Sequence, residues 1–381
     1  MERVIIRIKL TYVATVIIAL LCVFVGHKIA INEMSLFQNN SQEVVKATVQ
    51  SVIARNEPEG GYDAYLPLQA TETVFEAKVT SGRRKGEVLA ASQRSGGYLG
   101  VTSKEVGKGD SILLVRNDFT DGWFFNGYNR TNKLFVLGLS FVLGVLIFGG
   151  KKGFNTILSL GLTCVAVFMV FVPAILTGKN IYVMSLLVCA YTITMTLLLV
   201  VGFSKKALTA AIGCGSGVVV TGIITLIMDR VLFLTGIVDE QSRYLANLPV
   251  ETPINLKAII FAGIIIGAMG AIMDVAMSIS SSLWEVKEKA KTIKFEALFR
   301  SGLTIGRDIM GSMANTLILA YIGSSLSVVL ILSVYSNSLL GLLNMEMIVV
   351  EILQALAGSL GILFSMPLTA FFCSVFYLKK S

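Results

Sequence analysis

Residues 258–280 read AIIFAGIIIGAMGAIMDVAMSIS, a stretch whose one charge is Asp274 and whose other side chains are apolar or small. A bilayer core about 30 Å thick is crossed by roughly 20 such residues in a helix. Hydrocarbon offers no water to backbone N–H and C=O groups, so the segment must satisfy them internally, as a helix does. The same ruler finds eight runs: 10–29, 134–149, 154–177, 181–202, 207–228, 258–280, 303–335 and 348–378. The second is short and the last two are long. The seventh reads either as one helix or as a helix followed by a re-entrant or interfacial piece after Gly323, and the eighth contains Pro367, where a kink is expected.

Composition agrees. Hydrophobic residues make up 54% of the 381, before 35 glycines are counted, and charged residues only 15%. Mean hydropathy is +0.76. A soluble chain carries about 25% charged residues, so a soluble enzyme, a disordered scaffold and a nucleic-acid binder are excluded despite the net charge of +8. The charge follows from topology instead. With the N-terminus in the cytoplasm, the inside ends carry Arg3, Arg7, Lys9, Lys151, Lys152, Lys205, Lys206, Lys287, Lys289, Lys291, Lys294, Arg300, Lys379 and Lys380. The short outside loops carry Lys179, Arg230, Arg243 and Lys257. This asymmetry predicts about eight transmembrane helices with both termini inside. The first run lacks a small-residue cleavage pattern and exceeds a usual signal-peptide core, so it is read as an uncleaved helix.

The domain division expected is an N-terminal helix (1–30), an extracytoplasmic segment (31–133) and a seven-helix membrane domain (134–381). The middle segment differs in composition from everything after it. Alternating runs at 44–54, 74–80, 87–92, 111–116 and 123–128 are separated by Gly, Pro and Asp punctuation. Five short strands predict a small all-β domain, an OB-like barrel or a small sandwich. Residues 106–115, VGKGDSILLV, read as a turn entering a strand. Tyr98, Trp123, Phe124, Phe125 and Tyr128 are candidates either for a stacking platform or, as the plainer reading, for a small core and a bilayer anchor.

An ionisable group at membrane depth costs about 2.5–3.5 kcal/mol on insertion scales and is by default a functional hypothesis. In the sixth run Gly263, Gly267, Gly270, Asp274, Ser278 and Ser281 recur at three- and four-residue spacing and share one helix face. In the seventh run Asp308, Ser312 and Asn315 lie on one face and Arg307, Gly311 and Asn315 on an adjacent one. Gly263, Gly267, Gly270 and Gly311 are expected to permit close helix approach. Two readings stay open. Either Asp274 and Asp308 exchange a proton or cation with an aqueous path, or the polar groups bond to one another, for example as a buried Asp274–Arg307 pair. In the eighth run Glu351 and Gln354 lie near the outer end. GCGSG at 213–217 in the fifth run is read as a helix contact surface rather than a broken helix. Thr192, Thr194 and Thr196 cannot share a face, so at least one is expected to bond to its own backbone.

All five cysteines lie in apolar runs, and His27 is the single histidine. No catalytic constellation, metal site or cofactor is expected. The stretches GAMGAIMDVAMSISSSLWEVKE (267–288) and SGLTIGRDIMGSMANTLILAYIGSSL (301–326) resemble the YibE/F family of multi-pass membrane proteins. The resemblance runs from about Asn126 to the C-terminus. It implies a bacterial cytoplasmic membrane and, as a possible partner, a paralogous YibE/F-type subunit; a homo-oligomer is the other expected assembly. The arrangement of intramembrane Asp, basic stretch and polar helix is also similar, in residue types alone, to SecD/SecF-type proton-driven proteins. The expected activity is membrane transport of an unidentified solute, coupled to a proton or cation through intramembrane Asp residues. The alternative is a non-transporting assembly or signalling partner whose β domain docks a protein or ligand.

Overall fold

The computed structural model describes residues 2–30, 43–56, 70–96, 104–117, 122–248, 252–290, 292–335 and 338–378. The chain separates into two compact units, one formed by 37–144 and the other by 1–36 with 145–381.

Five strands form the core of the first unit: β1 (Val44–Asn56), β2 (Ala70–Val79), β3 (Val88–Gly96), β4 (Ser111–Asn117) and β5 (Gly122–Tyr128). They close into a barrel in the order β1-β2-β3-β5-β4. Every pairing is antiparallel except β3 with β5. The alternation seen in the sequence selects the interior: Val45, Ala47, Val49, Phe75, Ala77, Val79, Ile112 and Leu114 are all buried. Trp123, Phe125 and Tyr128 pack against this core, and Phe125 meets Tyr128 edge to face at 5.2 Å. These three aromatics therefore build the core, while Tyr98 lies outside the described residues. Gln93 is buried and bridges two chain segments, accepting from the Val106 N–H at 2.8 Å and donating to the Lys104 carbonyl at 3.1 Å.

The turn into β4 is built as the sequence indicates. Gly109 takes a left-handed conformation with φ +90°, which glycine adopts without a Cβ clash. Asp110 accepts from the Gly107 N–H at 2.8 Å and pairs with Lys104 at 3.1 Å. The Gly107 N–H, helped by Lys104, holds the Asp110 carboxyl below its ordinary range against the opposing effect of burial. A carboxylate whose folded pKa is depressed contributes stability above its unfolded pKa and loses it as pH falls through the folded value. Asp110→Ala is therefore expected to cost about 1–2 kcal/mol at pH 7. Hydrogen exchange of the β1 and β4 amides in the intact protein should quicken by about tenfold, and the difference from wild type should shrink below about pH 4.

In the second unit, α1 (Glu2–Ala30), α2 (Thr131–Ala166), α3 (Val172–Leu176), α4 (Ile181–Val200), α5 (Lys205–Val231), α6 (Glu240–Ala246), α7 (Leu256–Lys289), α8 (Phe295–Tyr335), α9 (Leu339–Leu343) and α10 (Glu346–Leu378) follow in order, the first residues of α2 belonging to the barrel unit. Seven helical segments among the described residues are long and apolar enough to cross a membrane. The sequence gives eight runs because its second and third fall in one helical segment, Thr131–Leu176. That segment is broken at Gly150, where φ is 53° and ψ −129°. The position of a Gly153 Cβ falls on the Val145 carbonyl. Residues eight apart in a straight helix are about 12 Å apart along the axis, so the chain turns sharply at Gly150.

The two open questions about the long runs are answered by α8 and α10. The first is one continuous helix through Gly323, and the second continues through Pro367. Another proline does disturb its helix. A π-helical turn at Val167–Phe171 precedes Pro173, which has no N–H to give the carbonyl four residues back. That carbonyl, of Met169, accepts instead from the His27 Nδ1–H at 2.7 Å. The single histidine thus ties α1 to the helix that the proline interrupts, and Ala19 and Val23 of α1 pack beside it against Leu162, Ala166 and Val170.

The bundle's main core joins α4, α5, α7, α8 and α10 around Ile265, Ile272, Ile279, Leu283 and Ile362. Its outer surface keeps large apolar side chains uncovered, among them Phe148, Phe168, Leu187 and Leu330. Apolar exposure on this scale fits a lipid solvent.

Candidate functional site

Most of α7 is packed, because the sequence gives it apolar side chains on every side but one. The remaining strip is the Gly/Asp/Ser face. Gly263, Gly267, Gly270 and Asp274 are exposed, and Ser278 and Ser281 half-buried. Asp274 sits near the middle of this 34-residue helix.

Antiparallel to α7 runs α8. Gly302 lies against Leu283 and Ala370, Gly306 against Ile279 and Met366, and Gly267 against the Tyr321 hydroxyl. These neighbours place Asp274 at the level of Gly311 and Ser312. On α8, Arg307, Asp308, Gly311, Ser312 and Asn315 are all exposed. Ser312 donates to the Ile309 carbonyl at 2.9 Å. Among the described residues, Asp274, Arg307, Asp308 and Asn315 have no hydrogen-bond or ion-pair partner. The buried Asp274–Arg307 pair, one of the two readings of the sequence, does not form within the chain.

The glycines divide differently from the expectation. Gly263, Gly270 and Gly311 have nothing within 4 Å of a Cβ position, so of the four glycines assigned to packing only Gly267 meets a neighbour. The close approaches lie elsewhere, along α5 and α10. Gly213 faces Thr369, Gly217 faces Ser365 at 2.7 Å, and Gly361 faces Thr221. GCGSG is thus part of a contact surface in an unbroken helix. Small residues on both partners let the two backbones approach and replace missing hydrophobic drive with packing.

Toward the basic end of the bundle, Thr209 of α5, Ser280 of α7 and Tyr377 of α10 form a closed hydroxyl cluster. The oxygens are 2.9 Å apart for Thr209–Ser280, 2.8 Å for Thr209–Tyr377 and 2.7 Å for Ser280–Tyr377. Trp284 lies edge to face against Tyr377, with Lys206 over its indole. Sequence reading missed this cluster because its members lie far apart in the chain; the only local signal is one tyrosine in the last turn of an apolar run. Tyr377→Phe removes the central donor and leaves two buried hydroxyls to re-pair, a cost of about 1–3 kcal/mol. A matching fall in urea or thermal resistance in detergent checks this.

Other polar groups fall into smaller contacts. The Tyr321 hydroxyl, which lies against Gly267, is buried with no hydrogen-bond partner among the described residues, and Glu351 and Gln354 are half-buried in the first turns of α10. Thr196 reaches Ser159 at 2.8 Å, whereas buried Thr192 has no partner. None of the three α4 threonines bonds to its own backbone, contrary to expectation, because Thr196 finds a neighbouring helix instead. Cys189, Cys214 and Cys373 are buried, and Cys22 and Cys164 exposed. Among the described residues, no three His, Cys, Asp or Glu side chains converge. On the barrel, the outward side chains of β2 and β3 include Glu72, Glu76, Lys78 and Arg94 and no aromatic ring.

The family described as YibE/F-like protein matches residues 137–379. The chain belongs to the YibE/F family. The matched region contains every helix of the polar strip and its packing partners, so the α7 and α8 features belong to the YibE/F portion and the barrel lies before it. Neither the curated proteins nor the solved structures contain a match.

Proposed function

We propose that this YibE/F protein is a permease-like membrane transporter, coupled to a proton or cation through the intramembrane carboxylate Asp274. The reading rests on one observation: Asp274 stands at mid-helix on the single open strip of α7 with no hydrogen-bond or ion-pair partner among the described residues. A permanently charged carboxylate there is costly in lipid. A group that alternates between protonated and ionised states, on a strip opening to water, escapes that cost. Ser278 and Ser281 supply neutral oxygens on the same strip, one and two turns from Asp274.

In the topology proposed with this function, the break at Gly150 makes two crossings of one helical segment. That gives eight crossings with both termini in the cytoplasm of a bacterial cell. The barrel, of OB type by its strand order, then lies on the extracytoplasmic side as a docking module. No enzymatic step and no cofactor enter the mechanism, and a paralogous YibE/F subunit is a proposed partner.

The test is proton movement in proteoliposomes holding an entrapped pH dye, challenged with salts and pooled small-molecule extracts under an imposed gradient. Wild-type protein is expected to move protons or a cation in response to at least one addition. Silence with every addition would sink the reading.

A further inference from the structure

We infer that α8 is the seam between two copies of this chain, packed side by side about an axis along the membrane normal. The inference goes beyond the transport reading and holds whether or not ions move along α7.

The first observation is cover. Only 11% of the most apolar stretch of α8 is buried by the rest of the chain, against 50% for α7. The second is spacing. Asp308, Ser312, Asn315, Leu319, Ile322 and Leu326 follow one another at alternating steps of four and three, and every one is exposed. That alternation is the seam of two supercoiled helices. The bundle packs the opposite side of α8, through Gly302, Gly306 and Leu317, and so holds this stripe outward.

The third observation identifies the occupant. Asn315, near mid-depth, carries an amide with donors and an acceptor and no partner among the described residues. An amide is complementary to itself across a two-fold axis, and a lone Asn in such a seam fixes register and copy number. Arg307 and Asp308 are neighbours of opposite charge, so the same axis brings Arg307 of each copy to the level of Asp308 of the other. An axis along the membrane normal preserves depth, which these reciprocal contacts require. Gly311, with open space at its Cβ position, lets the two backbones approach. Lipid satisfies none of these groups; a second copy satisfies all of them.

The experiment uses the full chain in native membranes, with exposed Cys22 and Cys164 replaced by alanine. Single cysteines are introduced as Ser312→Cys, Leu319→Cys and Ile322→Cys on the stripe, and as Ala320→Cys and Ser324→Cys on the opposite side. Oxidation is expected to give covalent dimers of twice the chain mass from the first three and not from the last two. In nanodiscs the wild type should have the mass of two chains, and Asn315→Leu should weaken association by about threefold to tenfold. Crosslinking without regard to helix face, adducts of any other mass, a single-chain mass in nanodiscs, or unchanged association of Asn315→Leu would each overturn the inference. The readout is mass and crosslinking, so its failure is separate from a failure of transport.

Discussion

Gly213→Val is expected to prevent accumulation of folded protein, whereas Gly215→Val, two residues away in the same GCGSG stretch, is expected to accumulate near wild-type levels. A Cβ at 213 would fall on the Thr369 hydroxyl, with the Thr369 Cβ at 2.8 Å; one at 215 meets nothing within 4 Å. Thr369 has no room to withdraw, since it is fully buried and its hydroxyl is committed to the Ser365 carbonyl at 2.7 Å. Relief requires moving α5 away from α10, which would also open the Gly217–Ser365 and Gly361–Thr221 contacts. Overpacking at one site costs about 1–3 kcal/mol, and separating the neighbouring contacts raises the total to a large part of a typical 5–15 kcal/mol stability. Fluorescence-detected size-exclusion chromatography of the two variants checks this. Equal profiles would mean that the α5–α10 seam is not tight.

The second large effect is on function. Asp274→Asn is expected to abolish proton- or cation-dependent flux while leaving insertion and thermal stability close to wild type. The amide keeps the side chain's size and removes the charge. Since Asp274 has no hydrogen-bond or ion-pair partner to lose among the described residues, folding has little to register. Asp274→Glu keeps the titrating group one methylene further out and should retain partial flux. If Asp274→Asn instead fails to accumulate, the carboxylate is a structural group and not a coupling one. If it transports normally, coupling resides elsewhere, with Asp308 next to be replaced.

The fold was legible where one physical requirement dominates. Runs of about twenty apolar residues have one stable form in lipid, so α4, α5 and α7 fall where their sequences place them. Alternation in Val44–Asn56 and Ser111–Asn117 likewise defines the barrel's inside and outside. The strip on α7 was legible because helix geometry alone puts Asp274 with Gly270 and Ser278. Its meaning was not, because whether a glycine face is covered depends on which helices arrive there. Gly270 and Gly213 look alike in the sequence, yet one faces open space and the other Thr369. The Thr209–Ser280–Tyr377 cluster and the His27 contact with Met169 depend on pairings across long sequence separations. In the second case a proline four residues beyond Met169 frees the acceptor, a signal that becomes readable only once α1 is known to pack there.

Everything proposed about transport depends on water reaching Asp274. The direct measurement places a cysteine there, Asp274→Cys, in a chain with Cys22 replaced by alanine, and follows its modification by a charged methanethiosulfonate in sealed membranes. Exposed Cys164, on the outer surface of α2, stays in the chain as the internal reference for a thiol in lipid. The account predicts modification at position 274 far faster than at Cys164, with a preference for one side of the membrane. Modification as slow as at Cys164 from both sides would contradict it, since a carboxylate that water never reaches has no proton or cation to exchange.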